Sequence, residues 1–162
     1  MLYFSEYFTE AKSRIAKYKN ETIYQCDIYD KVGLHNVKLE IISTNSSDEQ
    51  AVILDLRQFK GNIYNTKGEI YPIPKNKYPT LDIYESIWKD VAYLRIELIS
   101  GNIGLYNGSL INVGLKKIVK YGSEGCAMKI EELSLTKKRY YCNDFGNDDD
   151  FDDLVFEMEI ID

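Results

Sequence analysis

Ala92-Tyr93-Leu94-Arg95-Ile96-Glu97-Leu98 is the stretch on which the fold reading turns. Ala92, Leu94, Ile96 and Leu98 alternate with Tyr93, Arg95 and Glu97, and apolar residues at every second position mark a strand with one face on a core and one in water. The pattern recurs outward from it. Tyr24, Cys26 and Ile28 alternate, as do Val37, Leu39 and Ile41, and the connector Asp30 to Asn36 holds a turn-forming Gly33, so these runs predict a hairpin. Ala51 to Leu56 is short and nearly all apolar, which predicts a central strand buried on both faces. Further strands are expected at 109–121, 126–135 and 136–142. Leu154, Phe156, Met158 and Ile160 then alternate with Val155, Glu157, Glu159 and Ile161, a last strand with a largely acidic outer face. Gly61-Asn62 and Gly101-Asn102 each follow a strand-like run and each precede a second glycine, Gly68 or Gly108; two hairpins with similar turns account for this echo.

Two segments read as helices. Phe4, Tyr7, Phe8, Ala11 and Ile15 recur at helical spacing, which predicts an amphipathic helix over 5–19 ended by Asn20. After Pro72, Pro74 and Pro79, Thr80 is placed to cap a short crossover helix from Leu81 to Asp90 that buries Tyr84, Ile87, Trp88 and Val91. The expected fold class is therefore α+β, an N-terminal amphipathic helix and one short crossover helix with a mainly antiparallel, hairpin-rich sheet. No Gly/Ser-rich or Pro-rich linker divides the 162 residues, so a single domain over 1–162 is expected, with an acidic loop at 143–153 before the C-terminal strand.

Charge is unevenly distributed. Residues 143–162 hold nine carboxylates and no basic residue, while residues 1–142 carry 17 acidic and 20 basic side chains, a formal +3 within a net charge of -6. That asymmetry favours a basic partner and disfavours direct nucleic-acid contact at the acidic end. Three widely spaced cysteines, Cys26, Cys126 and Cys142, form no metal or redox pair, and the first residues carry neither a basic leader nor a sustained apolar core, so reduced thiols in a cytoplasm are expected. No stretch reaches the roughly 18 apolar residues of a membrane helix.

Chemistry is absent where motifs would show it. The one histidine, His35, has no identifiable base or nucleophile partner, and no phosphate-loop, dinucleotide, zinc-protease or nucleophile-elbow motif occurs, so neither enzyme activity nor a cofactor is expected. The segment Asp144 to Asp153 is the most unusual, with six carboxylates and two phenylalanines in ten residues. It is no EF-hand loop: with Gly146 at the sixth position, Tyr141 would stand first and Asn143 third, so no metal ligand is assigned there, and calcium binding with a structural role is the third expectation. Self-repulsion alone predicts an open, solvated loop. Phe151, flanked by aspartates, instead suits an anchor inside a charged rim, with Tyr140 and Tyr141 just before it and the basic run Lys137-Lys138-Arg139 as an intramolecular counterweight.

In small size, acidic character and lack of catalytic motifs, the chain resembles the immunity proteins of bacterial polymorphic-toxin systems, including contact-dependent growth inhibition. The resemblance implies a cytoplasmic inhibitor of a cognate basic toxin domain, often a nuclease. The expected partner-binding residues are Asp144, Asp148, Asp149, Asp150, Asp152 and Asp153, standing in for phosphates, with Phe151, Tyr140 and Tyr141 as the adjoining aromatics. A non-catalytic accessory subunit that assembles through the sheet edge offered by Leu154 to Ile161 is the alternative expectation.

Overall fold

The computed structural model describes residues 4–88, 91–121, 126–144 and 149–162, with backbone alone at 87–88, 112–113 and 116–121. In chain order the elements are α1 (Phe4–Ala11), β1 (Ile15–Tyr18), β2 (Glu21–Tyr24), β3 (Asp27–Tyr29), β4 (Gly33–Thr44), β5 (Glu49–Asp55), β6 (Phe59–Tyr64) and β7 (Thr80–Tyr84). They continue with α2 (Glu85–Trp88), β8 (Val91–Gly101), β9 (Ile103–Val113), β10 (Lys116–Tyr121), β11 (Ala127–Glu132), β12 (Lys137–Asn143) and β13 (Leu154–Ile160). One sheet runs β1-β2-β11-β12-β13-β4-β8-β6 and the other β10-β9-β5-β7, with β3 also paired to β9. Pairing is antiparallel throughout the described residues.

Alternation explains why the sheets close on each other. Leu94, Ile96 and Leu98 of β8 turn inward beside Val37 and Leu39 of β4 and Leu154 and Phe156 of β13, and meet Val52, Leu54, Ile103 and Leu105 of the second sheet in one buried cluster. Tyr140 lies in that core, stacked on Phe156 with ring centroids 4.5 Å apart. A smaller cluster of Phe4, Phe8, Ala16, Ile23, Ala127 and Phe151 covers the β1-β2-β11 end of the first sheet. The protein is thus mainly β, and among the described residues helix is confined to α1 and α2.

Several sequence expectations change for local reasons. The N-terminal helix stops at Ala11, where Lys12 takes φ +52°, and Ile15 begins a strand. Asn20 does not end a helix; with Lys19 it supplies the two positive-φ residues of the β1–β2 hairpin turn. Spacing alone does not separate these states, because Ala11 and Ile15 fit either period. Of the expected helix over 81–90, residues 81–84 belong to β7, whose alternating Leu81 and Ile83 pair with β5, and residues 85–88 form a single helical turn, α2; Lys89 and Asp90 lie outside the described residues.

The run Tyr24 to Ile28 is likewise two strands, β2 in the first sheet and β3 in the second. The connector 30–36 therefore leads across the sandwich and closes no hairpin, since β4 pairs with β13 and β8. Neither Gly-Asn pair makes a hairpin turn of the expected kind. Gly101 sits where the chain leaves β8 for β9 with φ +80°, and a Cβ there would fall 1.7 Å from the Gln58 carbonyl oxygen. Gly61 lies at a bulge in β6, opposite that same strand β8, so the two echo each other across one strand pair.

β5 is buried on both faces from Gln50 to Leu54, as the nearly all-apolar run from Ala51 to Leu56 predicts. The last strand, β13, is interior, flanked by β12 and β4. No helix among the described residues is long and apolar enough to cross a membrane.

Candidate functional site

The acidic segment is tied to the rest of the chain by its own carboxylates. Asp144 Oδ2 accepts from Ser46 Oγ at 2.6 Å and Gln50 Nε2 at 3.0 Å, and Asp153 Oδ2 accepts the Asp144 amide at 2.9 Å. Asp152 Oδ2 accepts from Asn45 Nδ2 at 2.8 Å, while the Asn45 amide donates to the Asp153 carbonyl at 3.0 Å. The turn after β4, rich in Asn and Ser, thus serves as the donor for the aspartates. At the other end, Asp149 Oδ2 accepts from Lys19 Nζ at 2.7 Å and Tyr18 hydroxyl at 2.8 Å. Those two bonds, Lys19 first, hold the Asp149 carboxyl below its ordinary range.

Phe151 is not a displayed anchor. It is 3% exposed, packs on Phe4 at 5.3 Å between ring centroids and receives Lys129 Nζ over its ring at 4.4 Å. Its amide donates to Asn143 Oδ1 at 3.1 Å, and its φ of +56° turns the chain so that the ring faces inward. Burial of the ring is the physical reason: an apolar side chain between carboxylates gains more from the α1 cluster than from water. Tyr140 is also withdrawn, wholly buried, with its hydroxyl donating to Asp27 at 2.7 Å. Burial, then the Asp27 charge, raises that hydroxyl's pKa well above its ordinary value. Tyr141 is half-buried and donates to Glu131 at 3.0 Å.

The expected partner residues therefore divide. Asp144 and Asp153 are buried, Asp149 and Asp152 are partly exposed, Asp150 is exposed, and Asp148 lies outside the described residues. The structure replaces an open, self-repelling loop with one in which Asp144, Asp149, Asp152 and Asp153 each accept from a named donor. One carboxylate oxygen each of Asp150, Asp152 and Asp153 comes within 4.8 Å of the others, a concentration of negative charge that runs from exposed Asp150 to buried Asp153.

The basic run serves as a counterweight, but to other acids than these. Lys138 Nζ reaches Asp27 at 3.1 Å, whereas Arg139 and Lys137 pair with Glu157 at 2.6 and 3.2 Å. Burial pushes the Glu157 carboxyl up, and Arg139 and Lys137 pull it further down, so it ends below its ordinary range. His35 is occupied by Asp162 and the Val32 carbonyl oxygen, and none of its described contacts is a hydroxyl or thiol nucleophile.

Two clefts escaped the sequence reading. The first, about 320 Å3, is lined by Cys26, Asp55, Arg57 and Tyr106, and its polar groups satisfy one another: Arg57 clasps Asp55 at 2.6 Å, and Tyr106 bonds Cys26. The second, about 270 Å3, lies where β7 faces β8 and is lined by Tyr71, Tyr84, Tyr93 and Asp82 among apolar residues. Its one sequence signal was the surplus of tyrosine, 14 residues in 162, because the segment holding Asp82 and Tyr84 reads as a helix.

Fold and site together define an antiparallel two-sheet sandwich with an acidic, internally braced surface segment. No protein-family model matches the chain, and no curated protein or solved structure matches it either.

Proposed function

We propose that this chain neutralises a basic toxin domain of the nuclease type, presenting Asp148, Asp149, Asp150 and Asp152 where the toxin would hold phosphates. The observation that supports this reading best is the bracing of the acidic segment. Lys19, Asn45 and Ser46 hold its aspartates on one frame, so little ordering remains to be done when a cationic cleft arrives. Phe151 contributes by fixing the segment from beneath rather than by entering the partner. Complementary charge then speeds the encounter and penalises acidic competitors.

The test is capture of a basic protein from the host lysate by the tagged chain, at low and high salt, followed by affinity measurement with Asp148→Lys and Asp150→Lys. Weakening on the order of tenfold or more per reversal, with steep salt dependence, is the expected result. Affinity indifferent to both reversals and to salt would remove the acidic segment from the interface. The alternative of assembly through the last strand loses its basis, since both edges of β13 are already paired.

A further inference from the structure

Between β6 and β7 the chain runs through residues 65–79 without forming a helix or a full strand, a connection of a length that in compact domains is usually functional. Both of its ends are held. Asn65 Oδ1 accepts the amides of Lys67 and Glu69, each at 2.9 Å, and the Leu56 amide donates to the Pro79 carbonyl oxygen at 2.9 Å. The Tyr71 amide donates to the Ile63 carbonyl oxygen at 2.8 Å and its side chain packs on the main core, which leaves Ile70, one residue earlier, turned outward. Pro72 and Pro74 then fix their own φ and confine Tyr71 and Ile73 to extended backbone, so the middle of the connection is a stiff ridge.

The ridge displays two kinds of side chain. Ile70 is 58% exposed, Tyr78 54% and Ile73 36%, and every residue from Pro72 to Tyr78 is exposed. Lys67, Lys75 and Lys77 stand among them and pair with no carboxylate among the described residues, whereas Lys19, Lys38, Lys129, Lys137 and Lys138 each do. Three lysines less Glu69 give residues 65–79 a formal +2, in a chain of net charge -6. Aliphatic side chains set among unpaired ammonium groups suit the headgroup layer of an anionic bilayer, where the charges meet phosphates and the isoleucines reach the acyl boundary. Nucleic-acid bases fit less well, because Tyr78, the exposed ring of the stretch, already receives Arg57 and Lys77, each 5.5 Å from its centroid. A protein interface fits less well too, since such interfaces are depleted of lysine and enriched in arginine, and the neighbouring Arg57 is clasped by Asp55. We infer that residues 70–78 dock the protein on an anionic lipid surface through Ile70, Ile73, Lys75 and Lys77. The ridge shares no residue with the acidic segment, so this assignment stands apart from the inhibitor reading.

The test is co-sedimentation of the full chain with vesicles of phosphatidylcholine alone and of equimolar phosphatidylcholine and phosphatidylglycerol, at low and high salt, with the melting temperature of each variant recorded. The parent is expected to sediment with the anionic vesicles only, and less at high salt. Lys75→Glu/Lys77→Glu is expected to weaken that binding about twentyfold or more, since each lysine near an anionic surface contributes about fivefold, and Ile70→Ser/Ile73→Ser about tenfold. Lys12→Glu/Lys31→Glu makes the same change in net charge at exposed positions elsewhere and is expected to bind within about twofold of the parent. All three variants alter exposed side chains, so melting temperatures close to the parent's separate lost docking from lost folding. No sedimentation with the anionic vesicles, or equal losses in the ridge and control variants, overturns the assignment. Single-stranded oligothymidylate is titrated in parallel: if it binds in a manner that needs Lys75 and Lys77 while the vesicles are ignored, the ridge is a nucleic-acid site and the lipid assignment fails.

Discussion

Glu157 shows how a residue that reads as solvent-facing becomes structural. Alternation along the last strand puts it on the outer face, yet it is 5% exposed because Arg139 and Lys137 of the neighbouring strand fold over it. Its lowered pKa, shared with Asp149 beside Lys19 and Asp162 beside His35, has a definite sign. The unfolded chain takes up protons first, so the stability these groups contribute is full above about pH 4.5 and is lost as pH falls through their lower folded values. Glu157→Gln is expected to cost about 1–3 kcal/mol at neutral pH and to flatten part of the acid limb, measured by urea denaturation across pH. A variant with the parent's acid limb would remove Glu157 from that balance.

At the level of elements, the braced segment before β13 depends on one ring. Phe151 fills the small cluster beneath α1, and its amide is held by Asn143. Phe151→Ala is expected to cost about 3–5 kcal/mol and to speed amide exchange at 149–153 more than in β5. An anchor displayed to a partner would leave stability untouched, so the denaturation midpoint alone distinguishes the two. This is also where sequence reading and structure part most clearly. Asp-flanked Phe151 and the pair Tyr140-Tyr141 were visible as unusual, but whether an aromatic turns toward a partner or toward α1 depends on contacts more than a hundred residues away in the chain. The strands were more legible. β8 and β5 follow directly from alternation and from the nearly all-apolar run, whereas β1 and β7 hide in segments whose apolar spacing also fits a helix.

Across the whole molecule, one buried cluster takes residues from both sheets, and β8 passes into β9 through Gly101 at a corner that no side chain fits. The two sheets are therefore expected to unfold together. Near-ultraviolet and far-ultraviolet circular dichroism should give coincident denaturation curves, and Gly101→Ala should shift both equally; separated transitions would show that each sheet has a core of its own. The charge layout belongs to this scale too. Nine carboxylates in the last twenty residues were countable in the sequence, but the structure spends several on internal partners: Asp144 on Ser46, Asp149 on Lys19, Glu157 on Arg139 and Asp162 on His35.

The sequence by itself determined which residues of β4 and β8 face a core, that β5 lies inside a sheet, and that negative charge gathers near the end of the chain. These properties follow from side-chain period and count, which need no knowledge of neighbours. Tertiary structure decided that β3 leaves β4 for the opposite sheet, that β13 is enclosed on both edges, and that Phe151 and Tyr140 are buried. Period specifies a face but not what covers it; strand order and the far contacts that satisfy each polar group are set only when both sheets compete for the same core.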